Sequence, residues 1–173
     1  MHRAAVRIIG LLVPLFVTSW TLAETTVTLE KTHLCCGSCV TGAEKAVGKV
    51  EGAKAVCDRG TKTITITAPD DATAQKALDA LVDAGFYGKA TGATIKEDAA
   101  APSGNVQSLT LSEIHNCCGR CTSAINKTIK SVPGATGEIK NKEQTVTVTG
   151  DFDASKLVQA LNEAGFHCKA AAR

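Results

Sequence analysis

Hydrophobic and polar residues alternate along two stretches of the chain. Val27 and Leu29 alternate with threonine and glutamate, and Ile64 and Ile66 alternate with threonine in the run TITIT. A period of two is typical of a strand that buries one face and exposes the other. We therefore predict half-buried strands at both stretches.

Apolar residues at helical spacing predict two helices. The first helix carries Ala43, Val47 and Val50 on one face and ends before Gly52, a residue type common just after helix C-termini. The second apolar stripe ends before Gly85 and consists of Leu78, Leu81 and Val82. With a strand expected around Cys57 and a short one after Gly85, the order is βαββαβ. That order is the ferredoxin-like split unit, with four antiparallel strands and two helices on one face.

The same pattern occurs twice. TTVTLEKTHLCCGSC is matched by QSLTLSEIHNCCGRC, KTITIT by QTVTVT, and DAGFYGKA by EAGFHCKA, always in the same order. Ile139 takes the place of Cys57 on the second predicted strand. The sequence thus predicts an α+β protein of two tandem ferredoxin-like βαββαβ domains, at residues 24–91 and 107–173. The small and polar residues of segment 92–106 are typical of a linker.

The N-terminal residues 1–23 have the features of an export signal. Arg3 and Arg7 are the only charged residues there, and the apolar stretch Ile8–Val17 is too short to span a bilayer as a helix. A small-residue cleavage site ends at Ala23. We predict a cleaved signal peptide and a periplasmic or secreted protein that is not embedded in the membrane. An uncleaved membrane anchor is the alternative.

Composition narrows the classes of function. The chain has 19 lysines and arginines, 17 acidic residues and only 3% aromatic residues. Because the charges nearly balance, we expect no basic face, and because aromatic residues are few, we expect no surface on which bases could stack. We therefore expect no nucleic-acid partner. The sequence also lacks paired catalytic carboxylates, a Ser-His-Asp arrangement and a phosphate-binding glycine loop. We therefore do not expect an enzyme.

Six of the eight cysteines lie in two loops of sequence HxCCGxC, each between the first strand and first helix of a repeat. Cys36 and Cys39 in one loop, and Cys118 and Cys121 in the other, form CxxC pairs at a helix start. The free N–H groups and the helix dipole there favour the thiolate. Thiolates are preferred ligands of Cu(I), Zn(II), Cd(II) and Hg(II). We predict one soft-metal site per repeat; the alternative is a reversible disulfide in each loop, used in thiol–disulfide exchange.

Two further residues of each loop are candidate ligands. Cys35 and Cys117 would supply a third thiolate, or else serve as exposed redox thiols. His33 and His115 recur in register, which favours a shared role as ligands. They also lie at the end of a strand, where alternation could direct them away from the loop.

The element order, with CGSC or CGRC between the first strand and the first helix, resembles the heavy-metal-associated domain family. This family includes small copper chaperones, mercury-binding periplasmic proteins and N-terminal modules of metal-pumping ATPases. Its usual motif is Gly-Met-Thr-Cys-x-x-Cys. Here Leu34 or Asn116 replaces the methionine, and Cys35 or Cys117 replaces the threonine.

The resemblance implies a metal-binding protein that acts as a chaperone, buffer or sensor module. It implies as partner a metal-transfer protein or a metal transporter. It also places Phe86 and Phe166, in the repeated AGF sequence, beside the metal loop. They would then act as neighbours of the ligands or as parts of the core.

Overall fold

The computed structural model describes residues 24–96 and 102–172. The predicted signal peptide and part of the predicted linker lie outside the described residues. Within these ranges the protein is a mixed α/β structure of four helices and two antiparallel sheets. None of the helices in the described part of the chain has the length and apolar character needed to cross a membrane.

The first half of the described chain has the predicted βαββαβ order. Its elements are β1 (Thr25–Glu30), α1 (Gly37–Val47), β2 (Lys54–Asp58), β3 (Thr63–Ala68), α2 (Asp71–Asp83) and β4 (Lys89–Thr91). The four strands form one sheet in the order β2-β3-β1-β4, and all neighbours are antiparallel.

The alternation of apolar and polar residues on the central strands explains how this sheet packs against the helices. Val27 is paired with Ile66, and Leu29 with Ile64, across β1 and β3. All four side chains are fully buried beside the apolar faces of α1 and α2. Each such burial contributes roughly 1.5–3 kcal/mol. The two central strands thereby fix the position of the loop that leaves β1.

The second half departs from the predicted order. Its elements are β5 (Asn105–Ser112), α3 (Gly119–Ser131), β6 (Val146–Asp153), α4 (Ala154–Glu163) and β7 (Lys169–Ala172), with strand order β6-β5-β7. In residues 102–172 the strand predicted through Ile139 is not formed. An isolated bridge between Thr136 and Thr149 is what remains of its pairing.

Side-chain amides replace the missing strand pairing. The amide of Asn126 accepts from the backbone N–H of Ile139 at 2.8 Å and donates to its carbonyl at 3.1 Å. Asn116 donates to the carbonyls of Lys140 and Glu143, both at 2.8 Å. The first half has Glu44 at the position of Asn126, and a carboxylate cannot donate in this way. Ile139 remains buried, so its packing role survives without a strand.

The two halves contact each other through the same turn, used twice. We call residues 84–86 and 164–166 the AGF turns. The N–H of Tyr87 donates to the carbonyl of Gly165 at 3.2 Å, and the N–H of His167 donates to the carbonyl of Gly85 at 3.0 Å. Phe86 and Phe166 form the bridge between these bonds. The contact is reciprocal, so the halves are related by an approximate two-fold axis.

Glycine is required in both AGF turns for two reasons. Gly85 and Gly165 have φ angles of +86° and +87°, a conformation that other residues rarely adopt. A Cβ on Gly85 would overlap the backbone nitrogen of His115, and one on Gly165 would overlap that of His33. The sequence predicts these residues only as helix ends. The structure adds that they let the other half's metal loop approach.

Candidate metal centre

Each cysteine loop connects a strand to the helix that follows it, β1 to α1 and β5 to α3. Cys36 precedes α1 and Cys118 precedes α3, each in an extended conformation at the N-cap position. Cys39 and Cys121 therefore sit in the first turn of their helices, as the spacing predicts. Both are fully buried, whereas Cys36 and Cys118 are partly exposed. Each CxxC pair thus has one inner and one outer sulfur.

The two loops face each other across the approximate two-fold axis. The Sγ atoms of Cys39 and Cys117 are 3.5 Å apart, those of Cys35 and Cys118 are 3.6 Å apart, and those of Cys39 and Cys121 are 3.8 Å apart. The sequence predicts one separate site per repeat. The structure instead brings all six loop thiols into one group, which we call the six-thiol cluster. The eight cysteines all lie in the described part of the chain and form no disulfide there.

Distances within each loop suit metal binding equally well. The Sγ atoms of Cys36 and Cys39 are 3.7 Å apart, and those of Cys118 and Cys121 are 3.9 Å apart. A tetrahedral ion with metal–sulfur bonds of about 2.3 Å holds its sulfurs about 3.8 Å from one another. Neighbouring sulfurs of the cluster are therefore spaced so that they can share an ion.

Both candidate histidines lie beside the six-thiol cluster, each near cysteines of its own loop and of the opposite loop. His115 lies with Cys39, Cys117 and Cys121 in a group whose ligand atoms are within 4.8 Å of one another. His33 lies in a similar group with Cys35 and Cys121. The structure thus directs both rings toward the cluster, and strand alternation does not turn them away from the loops.

Aromatic stacking holds these two rings in place. His33 stacks on Phe166 with ring centroids 4.4 Å apart, and His115 stacks on Phe86 at 4.1 Å. The Nε2 atoms of both histidines are buried and have no hydrogen-bond partner among the described residues. Burial also lowers the pKa of His33, which favours the neutral ring that binds metals. Each phenylalanine of an AGF turn therefore positions the other half's candidate ligand.

The cluster divides its thiols into two ionisation classes. Donation from Cys121 lowers the pKa of Cys39, and the same contact raises the pKa of Cys121. Burial raises the pKa of Cys35 to about 12 and raises that of Cys117 as well. The backbone N–H of Cys121 lowers the pKa of Cys118 to about 6. Metal binding must therefore displace protons from the neutral thiols.

We expect Cys118 to be alkylated by iodoacetamide before Cys35 and Cys117 in reduced, metal-free protein. Its rate should rise through about pH 6, because the thiolate is the nucleophile and its pKa is lowered to about 6. Peptide mapping by mass spectrometry across a pH series measures this order. Cys57 is the internal control, since burial raises its pKa to about 11. Equal rates for Cys118 and Cys57 at neutral pH would contradict the expectation.

Two arginines that the sequence analysis does not single out lie at the rim of the cluster. Arg59 and Arg120 both donate to the backbone carbonyl of Cys35, at 3.2 and 3.1 Å. Arg120 is the variable residue of its own CGRC motif, which is the one sequence signal for this role. Their guanidinium groups place positive charge beside a site whose ligands become negative.

Some solved structures show a limited likeness to the chain. The N-terminal soluble domains of Bacillus subtilis CopA are 16% identical, covering 86% of this chain and 94% of that one, with a TM-score of 0.30. A structure of the water-soluble region of the P-type ATPase CopA from Bacillus subtilis is 16% identical, covering 85% and 91%, with a TM-score of 0.28. The first two RRM domains of the yeast poly(U)-binding protein Pub1 are 12% identical, covering 86% and 99%, at 0.25. These low TM-scores support no inference about this chain.

Sequence comparison is more specific for one part of the protein. No curated protein matches the chain. Residues 112–167, which contain the second cysteine loop, match the heavy-metal-associated domain. This match, together with the cysteine cluster that the structure forms around the loop, indicates a role in metal binding or transfer.

Proposed function

We propose that the protein is an exported carrier, buffer or sensor of a soft metal ion, and not an enzyme. Cu(I) is the ion we favour, with Zn(II), Cd(II) and Hg(II) as the alternatives. The observation that carries the proposal is the convergence of six thiols and two unpartnered histidine nitrogens on one site. Soft thiolate donors favour such ions over the hard cations that prefer oxygen.

Partial exposure of the cluster supports transfer over permanent storage. Cys39 and Cys121 are buried, but Cys35, Cys36 and Cys118 keep part of their surface open to solvent. A partner's thiolates can enter on that side and replace the outer sulfurs one at a time, so the ion is never free. The partner we propose is a metal-transfer protein or a metal transporter.

We also propose that the chain consists of two tandem ferredoxin-like domains. They span residues 24–91 and 107–173 and are joined by linker 92–106. The first half has the required order of elements, and the second half lacks one edge strand. A separate site in each repeat, as the sequence predicts, would require the two loops to move apart. The stoichiometry of metal binding distinguishes that arrangement from a joint site.

Native mass spectrometry of the reduced mature protein, prepared without oxygen, tests the function. Cu(I), Zn(II), Cd(II) and Hg(II) are offered in competition, and we expect Cu(I) to be retained. A dithiol-exchange assay run in parallel covers the alternative function. Catalytic disulfide exchange without retained metal would replace the proposal with thiol–disulfide exchange.

Export is tested on its own. We expect the exported protein to begin at Glu24, because the cleavage site ends at Ala23. N-terminal sequencing of the exported fraction measures this. Ala23→Phe should block cleavage, because the bulky ring does not suit a small-residue cleavage site. Wild-type protein found intact in the membrane fraction would show an uncleaved anchor instead.

A further inference from the structure

The sulfur atoms of the six-thiol cluster have the connectivity of an octahedron. Ten Sγ–Sγ separations lie between 3.5 and 3.9 Å. An octahedron has twelve edges and three diagonals. If the ten short separations are edges, an octahedron assigns Cys35–Cys117, Cys36–Cys121 and Cys39–Cys118 as its diagonals and Cys35–Cys36 and Cys117–Cys118 as its two remaining edges. The Cys35–Cys36 edge is within 4.8 Å.

Six of the eight triangular faces of this octahedron take sulfurs from both halves. Four faces have all three edges within the short range, and each mixes the two loops. These faces are Cys35–Cys39–Cys121, Cys39–Cys117–Cys121, Cys36–Cys39–Cys117 and Cys35–Cys118–Cys121. An ion bound on any of them is therefore held by both cysteine loops at once.

The size of a face fits one three-coordinate ion. With edges of 3.5–3.9 Å, the centre of a face lies about 2.0–2.3 Å from each sulfur, near the metal–thiolate bond length of about 2.3 Å. The centre of the octahedron lies about 2.6 Å from the sulfurs, which is too far for such a bond. The ions therefore belong on the faces. Sulfurs this close together also leave no space for the inorganic sulfide of an iron–sulfur cluster.

Cu(I) matches the donor count of such an arrangement. Ions on four alternate faces use every thiolate twice, which gives each ion three sulfurs. One such set combines two of the short-edged faces, Cys35–Cys118–Cys121 and Cys39–Cys117–Cys121, with the faces Cys35–Cys36–Cys39 and Cys36–Cys117–Cys118, each of which includes one of the two remaining edges. Zn(II) usually takes four donors, whereas Cu(I) is satisfied by three soft ones. Four Cu(I) ions and six thiolates leave a charge of −2, and the guanidinium groups of Arg59 and Arg120 lie at the rim. Each neutral thiol loses its one proton to solvent, and the resulting thiolate then bridges two ions, without any redox change.

We infer that the six cysteines form one centre for four Cu(I) ions that is shared by the two halves of a single chain. This inference rests on the proposed function and gives it a stoichiometry. It also assigns the doubled cysteines a role: Cys35 and Cys117 lie opposite each other in the octahedron, and each binds at least one ion that the opposite loop also binds.

Titration of the full mature chain with Cu(I) under reducing, oxygen-free conditions tests the inference. Native mass spectrometry should show a monomer that carries four Cu(I) ions, with little of the one-, two- and three-ion species, because neighbouring ions share ligands. X-ray absorption should show sulfur at three-coordinate distance and a second shell of copper. Cys35→Ser should remove the four-ion species, whereas Cys57→Ser, outside the cluster, should keep it.

The outcomes separate the two proposals. Two Cu(I) ions bound independently, with Cys35→Ser losing only one, would overturn the shared centre and leave the proposed function intact. A four-ion species confined to dimers would overturn the single-chain arrangement in the same way. No retained Cu(I) or other soft metal would overturn the proposed function itself.

Discussion

Replacing Cys39 and Cys121 together with serine should lower the affinity for Cu(I) by roughly a thousandfold or more. Both sulfurs are fully buried, and they lie 3.8 Å apart at the meeting point of the two loops. Losing a thiolate ligand removes several kcal/mol of binding, and each 1.4 kcal/mol is about tenfold in affinity. Competition against a chromophoric Cu(I) chelator measures the change.

The matched control keeps the cysteine count of the double variant. Cys57→Ala with Cys168→Ala also removes two thiols, but neither residue belongs to a candidate metal group in the described part of the chain. This control should bind Cu(I) within a few-fold of the wild type. Circular dichroism of both metal-free variants reports whether they remain folded. A folded Cys39/Cys121 variant with unchanged affinity would refute the assignment of the centre.

The second large effect is expected from Gly85→Ala combined with Gly165→Ala. Each new Cβ would overlap a backbone nitrogen of the opposite metal loop, that of His115 or that of His33. The halves cannot keep their contact without moving, so the two cysteine loops should separate. We expect the four-ion species to be lost and the radius of gyration of the chain to increase. Native mass spectrometry and small-angle X-ray scattering measure the two changes.

Gly104→Ala separates this effect from simple backbone strain. Gly104 has a φ of +87°, like the two turn glycines, but a Cβ there meets nothing within 4 Å. Its replacement should cost about 1 kcal/mol of unfolding free energy and leave Cu(I) stoichiometry unchanged. If the turn variant behaves like Gly104→Ala in both measurements, the contact between the halves does not hold the centre together.

Local pattern was sufficient to predict much of the fold. Alternation at Val27 and Leu29 predicts β1, and the cysteine spacing places Cys36 and Cys118 at helix starts. The absence of the strand predicted through Ile139 could not be foreseen from the local pattern. Its backbone is bonded by a single side chain, Asn126, from a neighbouring helix. Periodicity reports which faces are buried, but it does not report which group satisfies the backbone.

The contact between the two cysteine loops could not be predicted from the sequence for a different reason. Gly85 and Gly165 each follow a helix, and helix termination explains a glycine there completely. A second requirement, the approach of the opposite loop, leaves no additional mark in the sequence. The repeat of AGF and of the histidine before each CCGxC is consistent with a contact between copies. The sequence alone does not say which side of each copy makes it.

The reciprocal contact of the AGF turns has the form of a two-fold dimer interface made within one chain. In a dimer of identical subunits, the same surface is used on both partners, and any substitution appears twice. Covalent linkage removes both constraints. The loops meet at an effective concentration set by the tether and not by the amount of protein. The two surfaces can also differ, and they do: Arg120 stands where the first loop has Ser38. The nearly symmetric site therefore has two chemically distinct sides.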